Sequence, residues 1–184
     1  SSPDVPKWIR KQTRRKSNLT VCHFAIHYFF KSEEMLTRLM ETITNNTKKG
    51  GYCWITFPDG NKLLELLNGN NKRETKSYLV KLLDTTLDEE SIDTNPYGRG
   101  VEFKLKQTRY FKKAKPGENI MSNHGVSNEY LVSVKHLVHL FEANKFKLLE
   151  AKHFSEYYDN LKIKITDSEK EISFTNISIL FQKK

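Results

Sequence analysis

The chain has 184 residues, enough for one domain with a hydrophobic core or for a large piece of a bigger domain. Its net charge of +9 favours a polyanionic partner, such as nucleic acid or an anionic membrane surface, although a general Lys-rich composition explains the same excess. The sequence excludes a disulfide framework, a zinc site and a membrane-spanning helix, because it has only two cysteines, no zinc-ligand spacing and no run approaching roughly 20 apolar residues.

The first part of the chain predicts a strand and then a helix. Residues 1–18 are polar and basic and predict a loop or a surface helix. The unbroken apolar run at residues 19–27 predicts a strand that is buried on both faces. A helix is predicted to follow, with Ser32 as its N-cap and residues 48–51 closing it, because the apolar residues between them recur at helical spacing.

A second strand and a second helix complete this pattern. The run "YCWITF" predicts a strand that ends at Pro58-Asp59-Gly60, and "NKLLELLN" predicts a short helix after it. This order is typical of a parallel sheet with crossover helices, in which ligands bind at the carboxyl ends of the strands. We therefore expect His27-Tyr28 and Pro58-Asp59, which follow the two strands, to lie at the binding edge of the sheet.

The second half of the chain interrupts this order and then returns to it. Residues 69–115 contain short β-type runs around an acidic loop and predict an antiparallel insertion. The remaining segments predict, in order, an amphipathic helix at "SNEYLVSVKHLVHLFEANKF", a strand at "FKLLEAKHF", a short helix at "SEYYDNL" and a final strand at "ISFTNISILFQ".

Four segments resemble, in the same order, blocks of the messenger-RNA cap guanine-N7 methyltransferases. They are "VCHFAIHYFF", "GGYCWITFPDGNKL", "NPYGRGVEFKL" and "NEYLVSVKHLVHLFEANKFKLLEAKHFSEYYDN". The resemblance is greatest to versions from large DNA viruses, in which the methyltransferase ends a multi-domain capping enzyme. It runs from about residue 19 to the C-terminus.

The resemblance implies an α/β fold: the C-terminal half of a Rossmann-like class I methyltransferase sheet with an antiparallel β insertion. It also implies S-adenosylmethionine as the cofactor. On this basis residues 1–18 are a basic lead-in, residues 19–184 are the C-terminal part of the domain, and the insertion covers about residues 69–115. The family's glycine-rich cofactor loop and the acidic residue that ends its second strand have no counterpart in this sequence. Since the chain also starts without Met, we expect a fragment whose partner is an upstream half of the domain.

The resemblance assigns the cap guanine to five residues. Glu129 matches a guanine-binding carboxylate, whose two oxygens accept from the N1–H and N2–H₂ edge of the base; the alternative is a solvated Glu in the first turn of a helix. His27 and Tyr28 match a cap-contacting pair, and the alternative for His27 is a structural core histidine. Pro58 matches a residue that flanks the cap pocket, and the alternative for Pro58 is a residue that only ends its strand. Asn176 stands where the family often has a Tyr that stacks on the cap.

Three further residues match positions beside the cofactor, namely His23, Phe24 and Ala25. His23 stands where the family often has Gln, so that a polar contact to the adenosyl group is implied. No residue is expected to act as a general base, because guanine N7 carries a free lone pair, and orientation and electrostatics carry the reaction.

Basic residues interleaved with aromatic residues suit a single-stranded RNA or a triphosphate bridge, although such a run also occurs on ordinary solvated faces. The basic segment 7–16 is equally compatible with a contact to another domain or subunit. The candidate RNA-binding residues are Lys104, Lys106, Arg109, Lys112 and Lys113.

Three functions are compatible with the sequence. The first is methyl transfer from S-adenosylmethionine to N7 of the cap guanine at the 5′ end of capped mRNA, within a larger capping enzyme. The second is a non-catalytic, methyltransferase-like subunit that binds capped RNA or stimulates a partner, and the third is a basic RNA-binding domain. A viral enzyme implies a cytoplasmic replication site or the virion, and a cellular enzyme implies the nucleus.

Overall fold

A computed structural model of the protein describes residues 15–83, 91–106, 127–158 and 160–184. These residues form two four-stranded sheets with helices packed against them, which confirms the predicted α/β fold. The strands are β1 (Ser17–His23), β2 (Thr47–Pro58), β3 (Lys72–Glu74), β4 (Tyr78–Leu82), β5 (Gly100–Leu105), β6 (Ser127–Tyr130), β7 (Phe146–His153) and β8 (Asn176–Lys183). The helices are a 3₁₀ helix (Ile26–Lys31), α1 (Glu33–Asn46), α2 (Gly60–Leu67), α3 (Ser91–Thr94), α4 (Val134–Ala143), α5 (Phe154–Tyr158) and α6 (Asp167–Ser173).

The first sheet has the strand order β1-β2-β8-β7. Strands β1 and β2 are parallel and are connected through α1, as the alternating pattern predicts. Strand β8 is antiparallel to both of its neighbours, β2 and β7. The carboxyl ends of β1 and β2 therefore lie at one edge of the sheet, where β8 begins.

Helix α1 begins as predicted and ends earlier than predicted. The Ser32 hydroxyl accepts a hydrogen bond from the backbone N–H of Met35 at 3.3 Å, which is the expected N-cap contact. The helix ends at Asn46, so residues 48–51, which we expected to close it, belong to β2. The ammonium of Lys183 donates to the carbonyls of Thr44 and Thr47 at the end of this helix. The last carbonyls of the helix are thus satisfied before the chain reaches Gly50 and Gly51.

One face of the first sheet carries the main hydrophobic core. Cys53, Ile55 and Phe57 alternate along β2 and are completely buried on this face. They pack against apolar side chains of α1 and α4 and of the neighbouring strand β8. The fully buried members contributed by those elements are Leu36, Leu137, Phe141, Ile179 and Phe181.

The opposite face of the first sheet is open along β1 and β2 as far as the described residues extend. Leu19 and Val21 of β1 lie in register with Tyr52 and Trp54 of β2, so the four side chains share this face. Each residue is between 41% and 50% exposed, and none of the described helices buries them. We call these four side chains the open face. The prediction that the first strand is buried on both faces is wrong within the described residues, because only one face is covered.

The first strand also ends earlier than predicted. Its pairing with β2 stops at His23, and Phe24 then adopts a left-handed backbone conformation with φ of 48°. This turn is fixed by a hydrogen bond from the Phe24 N–H to the carbonyl of Thr56 at 2.8 Å. His27 and Tyr28 therefore lie in the 3₁₀ helix and not in the strand. An apolar run alone does not reveal such a turn, because Phe rarely adopts a positive φ.

The second sheet has the order β3-β4-β5-β6 and is antiparallel throughout, which confirms the predicted antiparallel insertion. Its covered face packs against α2 and α6 around Tyr78, Val80 and Val101. The domain limits at residues 18 and 19, and the limits of the insertion, stay predictions.

Strand β6 corrects the prediction for the segment that carries Glu129. We expected a helix from Ser127 onward, whereas residues 127–130 pair with β5 and the helix α4 starts only at Val134. Ser133 is its N-cap and accepts from the N–H of His136 at 3.0 Å. The apolar residues from Val134 onward do recur at helical spacing and form α4. Strand β6 has only four residues, which are too few to show the two-residue alternation of a strand.

The C-terminal region adds one helix that the sequence pattern did not predict. Helix α6 occupies residues that we assigned in part to the final strand, and it starts with a capping box at Thr166 and Glu169. Strand β8 consequently begins at Asn176. Within the described residues, no helix is long and apolar enough to cross a membrane.

The two sheets meet where β2 ends. The Asp59 N–H donates to the carbonyl of Thr175 at 2.8 Å, and Asp59 forms a parallel bridge with Val132, which follows β6. The Gly60 N–H donates to the carbonyl of Val132 at 2.9 Å. A Cβ atom at Gly60 would lie 2.8 Å from that same carbonyl oxygen, so only glycine fits this close approach.

Candidate functional site

His27 and Glu129 come together in the folded chain, although they lie 102 positions apart in the sequence. His27 lies in the 3₁₀ helix, which packs on β6, and Glu129 lies in β6 itself. The His27 Nε2 atom is 3.5 Å from the Glu129 Oε2 atom. The two residues are only 4% and 9% exposed. A buried imidazole therefore faces a buried carboxylate.

The imidazole of this pair is neutral at pH 7. Burial lowers the pKa of His27 to about 4, because the charged form loses its hydration. The contact is thus between a neutral ring and Glu129, and it is not an ion pair at neutral pH. Neither ring nitrogen of His27 has a hydrogen-bond partner among the described residues. An unpaired buried polar atom costs roughly 1–3 kcal/mol, and such atoms concentrate where a ligand or water binds.

Tyr28 places an aromatic ring beside this buried pair and next to solvent. Its ring centroid is 4.2 Å from that of His27, with the two planes inclined by 55°. Tyr28 is 41% exposed, so its ring is accessible while its neighbour is buried. This arrangement offers a flat base both a polar edge and an aromatic surface.

Pro58 and Asn176 form a register pair at the joint between the sheets. Pro58 is the last residue of β2 and lies opposite Asn176, the first residue of β8. The bridge from Asp59 to Val132 joins this pair to the chain segment that continues from Glu129. The Asn176 amide Nδ2 donates to the carbonyl of Ser173 at 3.0 Å, so part of its hydrogen-bonding capacity serves the local turn.

His23, Phe24 and Ala25 follow each other at the carboxyl end of β1. The His23 Nδ1 atom is 2.9 Å from the Thr56 hydroxyl oxygen, and the His23 ring packs edge-on against Trp54 at 4.8 Å. Phe24 is exposed, and its ring meets another aromatic ring only at its edge. Exposed aromatic and polar rings at the end of a parallel strand fit one side of a nucleoside-binding surface.

The candidate RNA-binding residues divide into two described lysines and three residues outside the described part of the chain. Lys104 lies in register with Leu79 on the face of the second sheet opposite Tyr78 and Val80, and it is half-buried. Lys106 donates to a carboxylate oxygen of Glu74 at 2.5 Å and to the carbonyl of Thr75 at 3.0 Å. Hydrogen bonds from Lys106 and Lys72 lower the pKa of Glu74 to about 2, so the charge of Lys106 is locally balanced. The residues outside the described part are Arg109, Lys112 and Lys113.

One polar pair near the site has no sequence signal that would predict it. Asp59 Oδ2 lies 3.0 Å from His153 Nε2, and Asp59 is 6% exposed. The position of Asp59 after an apolar strand is a recognisable signal, whereas His153 at the end of β7 resembles any polar residue that ends a strand. Within the described residues, no group of three or more His, Cys, Asp or Glu side chains is arranged to hold a metal ion.

Comparison with known proteins identifies similar sequences. Residues 4–176 match the family model of the mRNA (guanine-N(7))-methyltransferase domain. The chain is 28% identical over 145 residues to the mRNA-capping enzyme of African swine fever virus, isolate Pig/Kenya/KEN-50/1950. That alignment covers 74% of this chain and 15% of the viral protein, so the chain spans a small part of the length of this relative.

Comparison with solved structures finds methyltransferases of low sequence identity. An S-adenosylmethionine-dependent methyltransferase from Clostridium acetobutylicum ATCC 824 is similar with a TM-score of 0.48 and 13% identity, over 92% of this chain and 59% of that chain. The CcbJ methyltransferase from Streptomyces caelestis is similar with a TM-score of 0.48 and 6% identity, over 93% of this chain and 59% of that chain.

Proposed function

The chain belongs to the family of mRNA (guanine-N(7))-methyltransferase domains, and from this premise we propose that it forms the guanine-binding part of a cap methyltransferase. The proposed reaction transfers a methyl group from S-adenosylmethionine to N7 of the cap guanine at the 5′ end of mRNA. The observation that carries the proposal is the buried contact between His27 and Glu129, beside the exposed ring of Tyr28.

Glu129 binds the Watson–Crick edge of guanine in this proposal. The N1–H and N2–H₂ groups of guanine are two parallel donors, and a carboxylate accepts both. Adenine presents a different pattern, with an acceptor at N1, and leaves the buried carboxylate without these donors. The negative charge of Glu129 also favours the positive charge that develops on the guanine ring during methylation.

His27 and Tyr28 orient the same base. The neutral imidazole donates from one ring nitrogen and accepts at the other, so that it serves a polar edge of guanine without adding a positive charge next to a cationic product. The exposed ring of Tyr28 limits the position of the base from the solvent side. Pro58 and Asn176 bound the site at the joint of the sheets. Asn176 hydrogen-bonds where a tyrosine would stack.

We assign the cofactor side of the site to His23, Phe24 and Ala25. The aromatic ring of Phe24 offers a surface to the adenine, and the His23 ring, held by Thr56, offers a polar group to the adenosyl moiety. The cofactor supplies the activated methyl group on its sulfonium. The contribution of the protein is to hold guanine N7 in line with that group and to keep water away, which needs no general base.

RNA contacts beyond the guanine are assigned to the basic segment that includes Lys104, Lys106, Arg109, Lys112 and Lys113. Of the two described lysines, Lys106 forms an ion pair with Glu74, which balances its charge, whereas Lys104 is half-buried on the sheet face opposite Tyr78. Lys104 therefore contributes more to the salt-dependent attraction for the phosphate backbone than Lys106 does.

The partner proposed for the open face is an upstream half of a methyltransferase domain. A parallel pair of strands occurs in sheets that are covered on both faces, yet Leu19, Val21, Tyr52 and Trp54 are all exposed. Strand β1 is also the terminal strand of the first sheet within the described residues, so its outer edge is available for a further strand. The matched segment makes up only 15% of the viral relative, which leaves ample chain there for such a half. A cytoplasmic site of action follows if the protein is viral.

A methyl-transfer assay tests the proposed function. Labelled S-adenosylmethionine and RNA with an unmethylated guanosine cap are incubated with the 184-residue chain alone and with a longer chain that carries the upstream half. We expect transfer to guanine N7 by the longer chain and little transfer by the chain alone. Cap binding without transfer in either form would instead support the non-catalytic subunit, and neither binding nor transfer would contradict both functions.

A further inference from the structure

Asp59 connects the two sheets at the site. Its N–H bonds to Thr175 just before β8, its backbone bridges to Val132 just after β6, and Gly60 beside it bonds to Val132 again. Asp59 therefore lies where the strand of Pro58 and the strand of Glu129 are held together. The position of Asp59 therefore helps to set the distance between the strand of Pro58 and the strand of Glu129.

Both carboxylate oxygens of Asp59 have a polar partner. Oδ1 accepts from the N–H of Asn61 at 3.0 Å and caps helix α2, while Oδ2 lies 3.0 Å from His153 Nε2. A buried carboxylate with only one partner would be costly, so His153 completes its environment. The His153 side chain is 26% exposed, and its own backbone N–H is held by the carboxylate of Glu156 at 2.7 Å.

We propose that Asp59 and His153 form a positioning pair for the guanine site. The pair ties the end of β7 to the joint of the sheets, and it thereby holds Pro58 and Asn176 at a fixed distance from Glu129. Neither residue is required to contact the base. The inference rests on the proposed function of the site and adds to it two residues that act through others.

A purely structural role makes a different prediction from a positioning role. If the contact between Asp59 and His153 only stabilises the fold, its loss lowers the free energy of unfolding, but the protein that remains folded binds guanine with unchanged affinity. A contact that sets the spacing of the site changes guanine affinity in the folded protein. A conservative variant that keeps the donor should then restore affinity.

The test uses variants of His153, a variant of Asp59 and one control. His153→Ala removes the contact, and His153→Gln keeps an N–H group that reaches Asp59. Asp59→Asn keeps the cap of α2 and a hydrogen bond to His153. His153→Phe keeps a ring of similar volume without a polar group, and it is used if His153→Ala fails to fold. His139→Ala is the matched control, because His139 is an exposed histidine of α4.

The measurements are the dissociation constant for the dinucleotide GpppG by calorimetry and the urea unfolding curve of each variant. We expect His153→Ala to weaken GpppG binding about tenfold in fully folded protein, which corresponds to about 1.4 kcal/mol. We expect His153→Gln and Asp59→Asn to stay within about threefold of the parent chain, and His139→Ala to be unchanged. If His153→Ala does not fold, His153→Phe replaces it, because a phenyl ring fills a similar volume without a polar group. Weakened GpppG binding in folded His153→Phe supports the pair, and unchanged binding overturns it.

Two results would overturn the inference, and they differ from each other. If the parent chain binds GpppG and folded His153→Ala binds it equally well, the positioning role is wrong while the guanine site stands. If the parent chain and Glu129→Gln both show no binding, the guanine site itself is wrong, and the pair has nothing to position.

Discussion

The proposed chemistry of the site depends on a histidine that is neutral because it is buried. His27 has a folded pKa of about 4, against an ordinary value of 6.5, and it faces the carboxylate of Glu129. In the proposed guanine site, a protonated His27 would place a cation beside a product that is itself cationic. Burial therefore sets the electrostatics of the site as well as its shape.

The depressed pKa of His27 predicts a specific pH dependence of stability. Between pH 6.5 and about 4 the unfolded chain binds a proton at this residue and the folded chain does not, so stability is full above pH 6.5 and falls as the pH approaches 4. The shift corresponds to a loss of roughly 3 kcal/mol from this group. In His27→Gln this component should be absent, as measured by urea unfolding at pH 7.5, 5.5 and 4.

The control for this prediction is His139→Gln, which changes an exposed histidine and should retain the component that His27 contributes. Subtracting the profiles removes the contributions of all other groups. Identical profiles for the parent chain and His27→Gln would show that His27 is not held neutral by the fold.

At the scale of the elements, the joint between the sheets decides the geometry of the site. Gly60 allows α2 to start against the backbone of Val132, and Val132 follows the strand that carries Glu129. Any side chain at Gly60 must push these elements apart, because the obstructing atoms belong to the backbone and cannot rotate away.

We therefore predict that Gly60→Ala destabilises the protein by roughly 1–3 kcal/mol, the usual cost of overpacking a tight contact. Urea unfolding measures this cost directly. Gly50→Asn is the matched control, because Gly50 has a positive φ of 76° that Asn tolerates and has no atom near its Cβ position. Equal and small effects of both substitutions would mean that the joint adjusts freely.

The sequence predicts the helices and strands of this fold better than the residues at which they end. The parallel pair β1–β2, the N-cap at Ser32 and the antiparallel second sheet follow from apolar spacing and cap residues. The turn at Phe24 does not, because it depends on a hydrogen bond to a residue of another strand. Strand β6 could not be predicted, because its four residues are too few to show the alternation of a strand and the helical pattern of α4 follows directly.

The same distinction applies to the site. The family resemblance predicted His27 and Glu129, and the structure brings the two side chains into contact although their expected secondary structures were wrong. No pattern predicts the partnership of Asp59 with His153, because it joins positions that are distant in sequence and contain ordinary residues. Long-range polar pairs of this kind are visible only once the strands are placed.

At the scale of the whole molecule, the open face is the feature that most distinguishes this chain from a sheet covered on both sides. Its four side chains are large, apolar and contiguous across two strands. Exposed apolar patches of this kind mark surfaces that bind other protein segments. The proposed upstream half both covers this face and extends the sheet beyond β1.

This proposal predicts the effect of Val21→Lys in two contexts. In the 184-residue chain the substitution should leave the free energy of unfolding within about 0.5 kcal/mol, because Val21 is half exposed there. In a longer chain with the upstream half, the buried lysine should reduce methyl transfer at least tenfold. Leu149→Lys on the opposite edge strand is the control and should leave transfer unchanged. Equal activities of the two longer variants would show that the open face is not the interface.

The most direct test of the account is the affinity of the 184-residue chain for GpppG compared with ApppA, in the parent chain and in Glu129→Gln. We predict that GpppG binds at least tenfold more tightly than ApppA. We also expect Glu129→Gln to lose about 10- to 100-fold in GpppG affinity, because a charged acceptor of two hydrogen bonds is removed. Glu102→Gln, on the opposite face of the same sheet, should bind like the parent. Equal binding of the two dinucleotides, or an unchanged affinity in Glu129→Gln, would contradict the guanine site.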